Sequence, residues 1–432
     1  MSAPTALTLL RASLAPMLDA VGISLLAVLG LRALLGGSYE FDTAALWVGS
    51  IGTLACWLDA RAPKSVPVSL PLYVAIALLS AAVHRGASVM AAPSPAWLGL
   101  FTPAAHLFSW GLLVYAAGYL LRSPWRMSLV VVMVVASTCL LGVQILFDRA
   151  VTGFTYLRNG SSSIPSVSQW GGLHQTGMVL LVALPFPMAV ALTAQSRWRM
   201  LSGWLVSAAL LGIGYVNGSR TGVLAMAVVI AAMGLAVLLR RGSGPLVRKA
   251  LVAAVLVVVG LGLGYLIFSN NSSMPAVASL TGDRAPIWTA AAMMTIDHPW
   301  LGVGPGNYPS MMENGEYAVR YLPWYPVSRG GTDQAHNMLL QASAELGLAG
   351  ALVLLLLWRS MIVSCLRAWA SDCVPLIALG TGGAMSAYLL RSMADSFMDI
   401  LMAADRTRIL IALFFGVALA LNRLPSRVLR PE

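Results

Sequence analysis

The run from Ala250 to Phe268 holds no charged residue, and neither does the run from Thr221 to Leu239. Each is long enough, as an α-helix, to cross a hydrocarbon core of ~30 Å, which takes about 20 apolar residues. In lipid a backbone must satisfy its own N–H and C=O groups, so such runs become helices. They recur along the whole chain. With 58% hydrophobic and 10% charged residues over 432 positions, the sequence predicts an all-α polytopic membrane protein. About twelve transmembrane helices are expected, near 17–36, 43–59, 67–84, 97–121, 127–147, 174–194, 199–216, 221–239, 250–268, 337–358, 374–391 and 407–422. The N-terminus leads into a full-length apolar span, not a short apolar stretch with a cleavage site, so no removable signal is expected.

The net charge of +11 is a topology signal, not a nucleic-acid footprint. With the N-terminus inside, one set of loops and ends collects Arg61, Lys64, Arg122, Arg126, Arg197, Arg199, Arg240, Arg241, Arg248 and Lys249, with few acids. The other side holds Glu40, Asp42, Asp148, Asp283, Asp297, Glu313, Glu316, Asp333, Asp395, Asp399 and Asp405. This is the positive-inside distribution, and it predicts cytoplasmic termini. The cysteines (Cys56, Cys139, Cys365, Cys373) show no paired spacing, so neither a disulfide framework nor a zinc site is expected. No metal and no cofactor is expected. No internal repeat argues for an inverted-repeat transporter.

Ser269–Asn337 is the one long polar and aromatic interval, and it falls on the outer side. Connections in compact proteins are usually short, so a long one is a place to look for function. Three divisions follow: transmembrane helices over 1–268, an outer catalytic segment over 269–336, and closing transmembrane helices over 337–432. Within the segment, Asp283–Asp297 reads as a short helix with Ile287, Trp288, Ala291 and Met294 on one side and Pro286 in its first turn. Such a helix suits a membrane surface. Gly302-Val303-Gly304-Pro305-Gly306 follows no strand and has the wrong spacing for a nucleotide fingerprint. It reads as a tight, re-aiming turn.

Arginines on the outer side do not serve topology, so they are the informative ones. Arg220 lies in Asn217-Gly218-Ser219-Arg220-Thr221-Gly222, at the start of a span. Free N–H groups at a helix start and a planar guanidinium both favour phosphate oxygens; the alternative is a cap with a snorkelling side chain. Arg284 opens the helix of the outer segment, beside Asp283, which either caps it or pairs with it. His336 stands where another apolar helix begins, and a neutral imidazole there can take a proton from a sugar hydroxyl or simply hydrogen-bond at the helix end. Asn337 orients a substrate or closes the cap. His174 and Gln175 begin a span on the same side and are weaker candidates for the same cavity. Asp395 and Asp399 either orient His336 or, the preferred reading, pair with Arg391 and Arg406.

Together these stretches resemble the O-antigen ligase/polymerase superfamily of bacterial envelope glycosyltransferases. The resemblance rests on Ser219-Arg220-Thr221-Gly222 between two spans and on Arg284…Trp288…His298-Pro299…Gly302-Val303-Gly304…Asn307-Tyr308. It is completed by Ala335-His336-Asn337…Leu340 leading into a helix. It implies a GT-C-like enzyme of the bacterial inner membrane, with its site on the periplasmic face. The implied donor is an undecaprenyl-diphosphate-linked glycan and the implied acceptor, for a ligase, is the lipid A–core oligosaccharide. A polymerase would extend lipid-linked repeats instead. Arg220 and Arg284 would grip the diphosphate and His336 would activate the acceptor hydroxyl. The single large late loop resembles the ligase layout more closely. A different class, a lipid-linked glycan flippase, needs charges along a path through the membrane; here Arg32 and Glu345 are the main charges within spans.

Overall fold

A computed structural model gives the structure of the protein and describes residues 6–35, 41–59, 66–89, 97–151, 173–216, 220–239, 284–314, 316–322, 334–371, 374–393 and 405–424. Among these the regular elements are helices: α1 (Ala6–Leu35), α2 (Phe41–Leu58), α3 (Ser69–Val89), α4 (Trp97–Leu120), α5 (Pro124–Val151), α6 (Leu173–Ala183), α7 (Pro185–Thr193), α8 (Arg197–Val216) and α9 (Arg220–Leu239). After them come α10 (Arg284–Asp297), α11 (Tyr308–Asn314), α12 (Tyr317–Tyr321), α13 (Met338–Ala370), α14 (Pro375–Ser392) and α15 (Asp405–Arg423). The expected span at 250–268 lies outside the described residues, as do Asp283, Asp395 and Asp399.

Among the described residues, three helices are long and apolar enough to cross a membrane, over Ser13–Gly30, Pro124–Phe147 and Met338–Ala370, and shorter apolar helices accompany them. The large apolar residues on their outer faces, such as Val28 in α1, Val132 in α5 and Leu352 in α13, are exposed. A water-soluble protein would bury these faces; a bilayer solvates them. Exposed Trp125 and Trp198 stand beside Arg126 and Arg197 at the starts of α5 and α8. Amphipathic indoles next to arginine are what a membrane–water interface selects.

Two departures from the expected helices have local causes. The helix expected over 174–194 is divided at Leu184, because Pro185 and Pro187 bring no N–H to the ladder. The helix expected over 337–358 runs on to Ala370, but Gly347 breaks it internally with φ 71° and ψ −178°.

One large buried cluster joins the helices. α4 packs against α2 and α15, and α14 packs against α7, α9 and α13. Phe415 of α15 is the hinge of this core, edge-on to Trp110 of α4 at 5.4 Å and to Trp358 of α13 at 4.9 Å. Trp358 also stacks on Tyr388 of α14 at 5.9 Å. The approach of α15 to α4 needs Gly416, where a Cβ would lie 2.4 Å from that of Ala117. Asp19 of α1 receives Arg122 and Arg126, each at 2.9 Å. That pairing ties α1 to the α4–α5 turn.

Candidate active site

The stretch from α10 to the head of α13 has a small core of its own. Ile287, Ala290, Ala291 and Met294 of α10 are buried with Val303, Tyr308, Met312, Tyr317, Ala335 and Ala344. The apolar side of α10 therefore faces α13 and its neighbours, and the expectation that it rests on the membrane surface is corrected: protein contacts take that side. Buried Thr295 and Ser343 share a hydroxyl hydrogen bond of 3.0 Å across the α10–α13 contact. Tyr317 donates to Asp297 at 2.6 Å. Burial, and then the Asp297 carboxylate, push the Tyr317 phenol well above its ordinary value.

The glycine-rich turn has a defined job. In an unbroken helix the carbonyls of Ala344 and Glu345 would receive the N–H groups of Leu348 and Ala349. The break at Gly347 releases them. Val303 N–H donates to Ala344 at 2.8 Å and Gly304 N–H to Glu345 at 3.0 Å, while Leu348 N–H turns to Pro299 at 2.8 Å. The turn thus replaces the missing rungs of α13, as buried backbone groups require. It fits only as glycine: Gly302 and Gly304 have φ of 64° and 98°, and a Cβ on Gly302 would sit 2.2 Å from the backbone of Glu345. From the other side α3 holds the turn. Ser80 donates to Leu301 at 2.7 Å, and His84 Nε2 donates to Gly302 at 2.6 Å.

His336 stands at the head of α13 in the left-handed region, with φ 49°, a conformation uncommon for a side-chain-bearing residue. Its neighbours on both sides are fixed. Ala335 N–H donates to Gln341 Oε1 at 2.7 Å, and Gln341 Nε2 donates to Glu345 Oε1 at 2.9 Å. Gln341 and Glu345 are both buried. On the other side Asn337 is the helix cap, accepting from Leu339 and Leu340 through Oδ1 and donating through Nδ2 to Met393 at the end of α14. Of the two readings of Asn337, this geometry is the cap. An unusual backbone state held from both flanks is what a fixed catalytic side chain needs.

The other candidates lie at the starts of other helices. Arg284 is half-buried as the first residue of α10, one turn before Ile287, which shares the small core with Ala335. Arg220 is the first residue of α9, the helix packed on α14. His174 and Gln175 lie in the first turn of α6. Arg391, offered as a partner for Asp395, is completely buried in the last turn of α14. Ser80, His84 and Gln341 were missed because apolar helices hide single polar residues that bond to distant backbone. The only signal for Glu345 was a charge inside a span.

Among the described residues, no group of three or more His, Cys, Asp or Glu is placed to hold a metal ion. No curated protein matches the chain. Residues 205–355 match the family described as O-antigen ligase. That stretch contains Arg220, Arg284, the glycine turn, His336 and the break at Gly347; it excludes His174, Gln175 and Asp395. The match over residues 205–355, about a third of the chain, supports a member of the O-antigen ligase/polymerase superfamily.

Proposed function

We propose that the chain transfers an O-antigen glycan from undecaprenyl diphosphate to the lipid A–core oligosaccharide. The site is the periplasmic face of the inner membrane, in a GT-C-like bundle of twelve spans with both termini cytoplasmic. The observation that carries the reading is His336: it lies within the family match, in a left-handed backbone state fixed through Ala335 and Asn337.

The reaction is a direct displacement. The acceptor hydroxyl attacks the anomeric carbon, forming the new glycosidic bond as the bond to the diphosphate oxygen breaks. His336 takes the hydroxyl proton, and configuration inverts. Negative charge gathers on the departing diphosphate, where Arg220 and Arg284 neutralise it, a role that needs no metal. Loss of one such contact costs about 2.7–4 kcal/mol of transition-state stabilisation. Asn337 supports His336 through the cap.

The test is a transfer assay with purified protein, undecaprenyl-diphosphate glycan, lipid A–core and excess EDTA. Glycosylated lipid A–core of inverted configuration supports the ligase. Longer lipid-linked chains with untouched acceptor identify a polymerase, to which the family match applies equally. No new glycosidic bond, with glycan moved across the bilayer, means a flippase.

A further inference from the structure

The glycine-rich turn lies at a depth that two helices measure independently. On α3, Ser80 and His84 hold the carbonyls of Leu301 and Gly302. They stand about 16.5 Å and about 22.5 Å along that helix from its start at Ser69. On α13, Leu348 N–H donates to Pro299 at 2.8 Å. Leu348 stands about 16.5 Å from Arg359 and about 28.5 Å from Arg367 along the helix. Arginine deep in hydrocarbon is costly, so one of these two marks the basic limit of the span. On each of these rulers the turn falls within a hydrocarbon core of ~30 Å, in the half away from the basic ends. Trp300 of this turn is 80% exposed, and its carbonyl lies against Gly347. Leu348, Leu352, Leu355 and Leu356 continue along α13 as exposed side chains, and so do Leu79 and Val83 on α3, the helix packed on α13.

We infer that the Pro299–Gly304 turn is re-entrant: it enters the leaflet opposite the basic loops and sets the Trp300 ring against the acyl chains of the bilayer lipids. The backbone is built for that depth. Irregular backbone is tolerated within hydrocarbon only where protein covers it and satisfies its polar groups. Gly302, Val303, Gly304 and Pro305 are buried. The carbonyls of Pro299, Leu301 and Gly302 accept from Leu348 N–H, Ser80 and His84. Those of Val303 and Gly304 accept from the side chain and the N–H of Asn307. The N–H groups of Gly302, Val303 and Gly304 donate to His298, Ala344 and Glu345. The polar backbone is thus turned inward while the indole is left outside. The occupant follows from continuity: Trp300 stands at the head of the leucine face that α13 shows to lipid. An indole, apolar with one N–H, suits the zone just below the head groups. The insertion fixes the height of α10 and of the head of α13, which carry Arg284 and His336, relative to the bilayer. It rests on the membrane reading of α3 and α13 and not on the proposed reaction.

The test uses the full, unaltered chain in bilayer nanodiscs containing a phospholipid with a diazirine in its acyl chain. After irradiation, adducts are mapped by peptide mass spectrometry, with Leu352 as the internal reference for lipid contact. Adducts at Trp300 as abundant as those at Leu352 are expected. A second measurement compares tryptophan emission of wild type and Trp300→Phe; Trp300 belongs to neither buried cluster, so the variant keeps its core. The emission that the substitution removes should be quenched by bromine on the acyl chains and not by iodide in the water. Adducts at Leu352 without adducts at Trp300 overturn the inference, as does Trp300 emission that iodide quenches and bromine does not. Adducts at neither residue overturn the membrane placement of α13 and the inference with it. Protection of Trp300 from both quenchers, with an intermolecular crosslink through it, means that a second copy of the chain covers the ring, and overturns it too.

Discussion

Asn337 joins two helices at the proposed active centre. Its Nδ2 donates to the Met393 carbonyl at 2.8 Å, while its Oδ1 accepts from Leu339 and Leu340 at 3.0 and 3.2 Å. Asn337→Ala loses both functions, and loss of the cap alone costs about 0.5–2 kcal/mol. Asn337→Asp keeps the cap and loses only the donation to Met393. Thermal unfolding should therefore rank wild type above Asp and Asp above Ala. Full stability in Asn337→Ala, with transfer lost, would restore the substrate-orienting reading.

The relay behind His336 gives a second prediction. Glu345 accepts from Gln341, which accepts from Ala335, and so steadies the backbone that presents the imidazole. Glu345→Ala leaves the buried Gln341 amide without that acceptor, at a cost of about 1–3 kcal/mol. In the protein that still folds, kcat should fall with KM for the donor unchanged, and Glu345→Gln should restore most of it. A rise in KM alone would contradict a positioning role.

The turn that completes α13 tolerates no side chain at its crossing points. A Cβ on Gly347 would lie 2.3 Å from the Trp300 carbonyl oxygen, and its φ of 71° adds strain. Gly347→Ala and Gly302→Ala should each destabilise the outer segment by about 1–3 kcal/mol from backbone strain, with more from the steric clash. Accelerated proteolysis between α10 and α13 would report it. Wild-type protease resistance would remove the turn from the account.

Here the limits of sequence reading have a physical basis. Apolar runs, charge asymmetry and the long polar interval are properties of composition, and a chain states them openly. The start of α13 at Met338 follows from Asn337 as a cap, and the helix of the outer segment from Pro286 and its apolar spacing. The break at Gly347 was not legible: Leu346-Gly347-Leu348-Ala349-Gly350 looks like ordinary helix in a span. Only the approach of Pro299–Gly304, 43 to 48 positions earlier in the sequence, makes a break there affordable to the backbone. The same reason hid Ser80 and His84, whose partners are carbonyls more than 200 positions away. Asp19 was hidden as one acid inside an apolar run, and it collects both arginines of the α4–α5 turn.

The Tyr317–Asp297 bond predicts a pH dependence. Folding favours the protonated phenol, whose ordinary value is 10.0. Its contribution to stability is full below that value and is lost as pH rises through it toward the higher folded value. The outer segment should therefore loosen at alkaline pH. Tyr317→Phe should abolish this part of the dependence and cost about 1.5–3 kcal/mol for a hydrogen bond to a charged acceptor. Spectrophotometric titration of the tyrosines checks it: one phenol that resists ionisation should be missing in the variant.

The central claim is that His336 takes the acceptor's proton, and the most direct measurement is the single-turnover transfer rate of His336→Ala in detergent. Donor affinity is measured on the same preparation, and folding is verified by thermal unfolding. The account predicts a rate lower by about 10²–10⁴-fold, the usual contribution of a positioned general base, with donor affinity retained because the arginines hold the diphosphate. A folded variant that transfers glycan at a rate near wild type would contradict it.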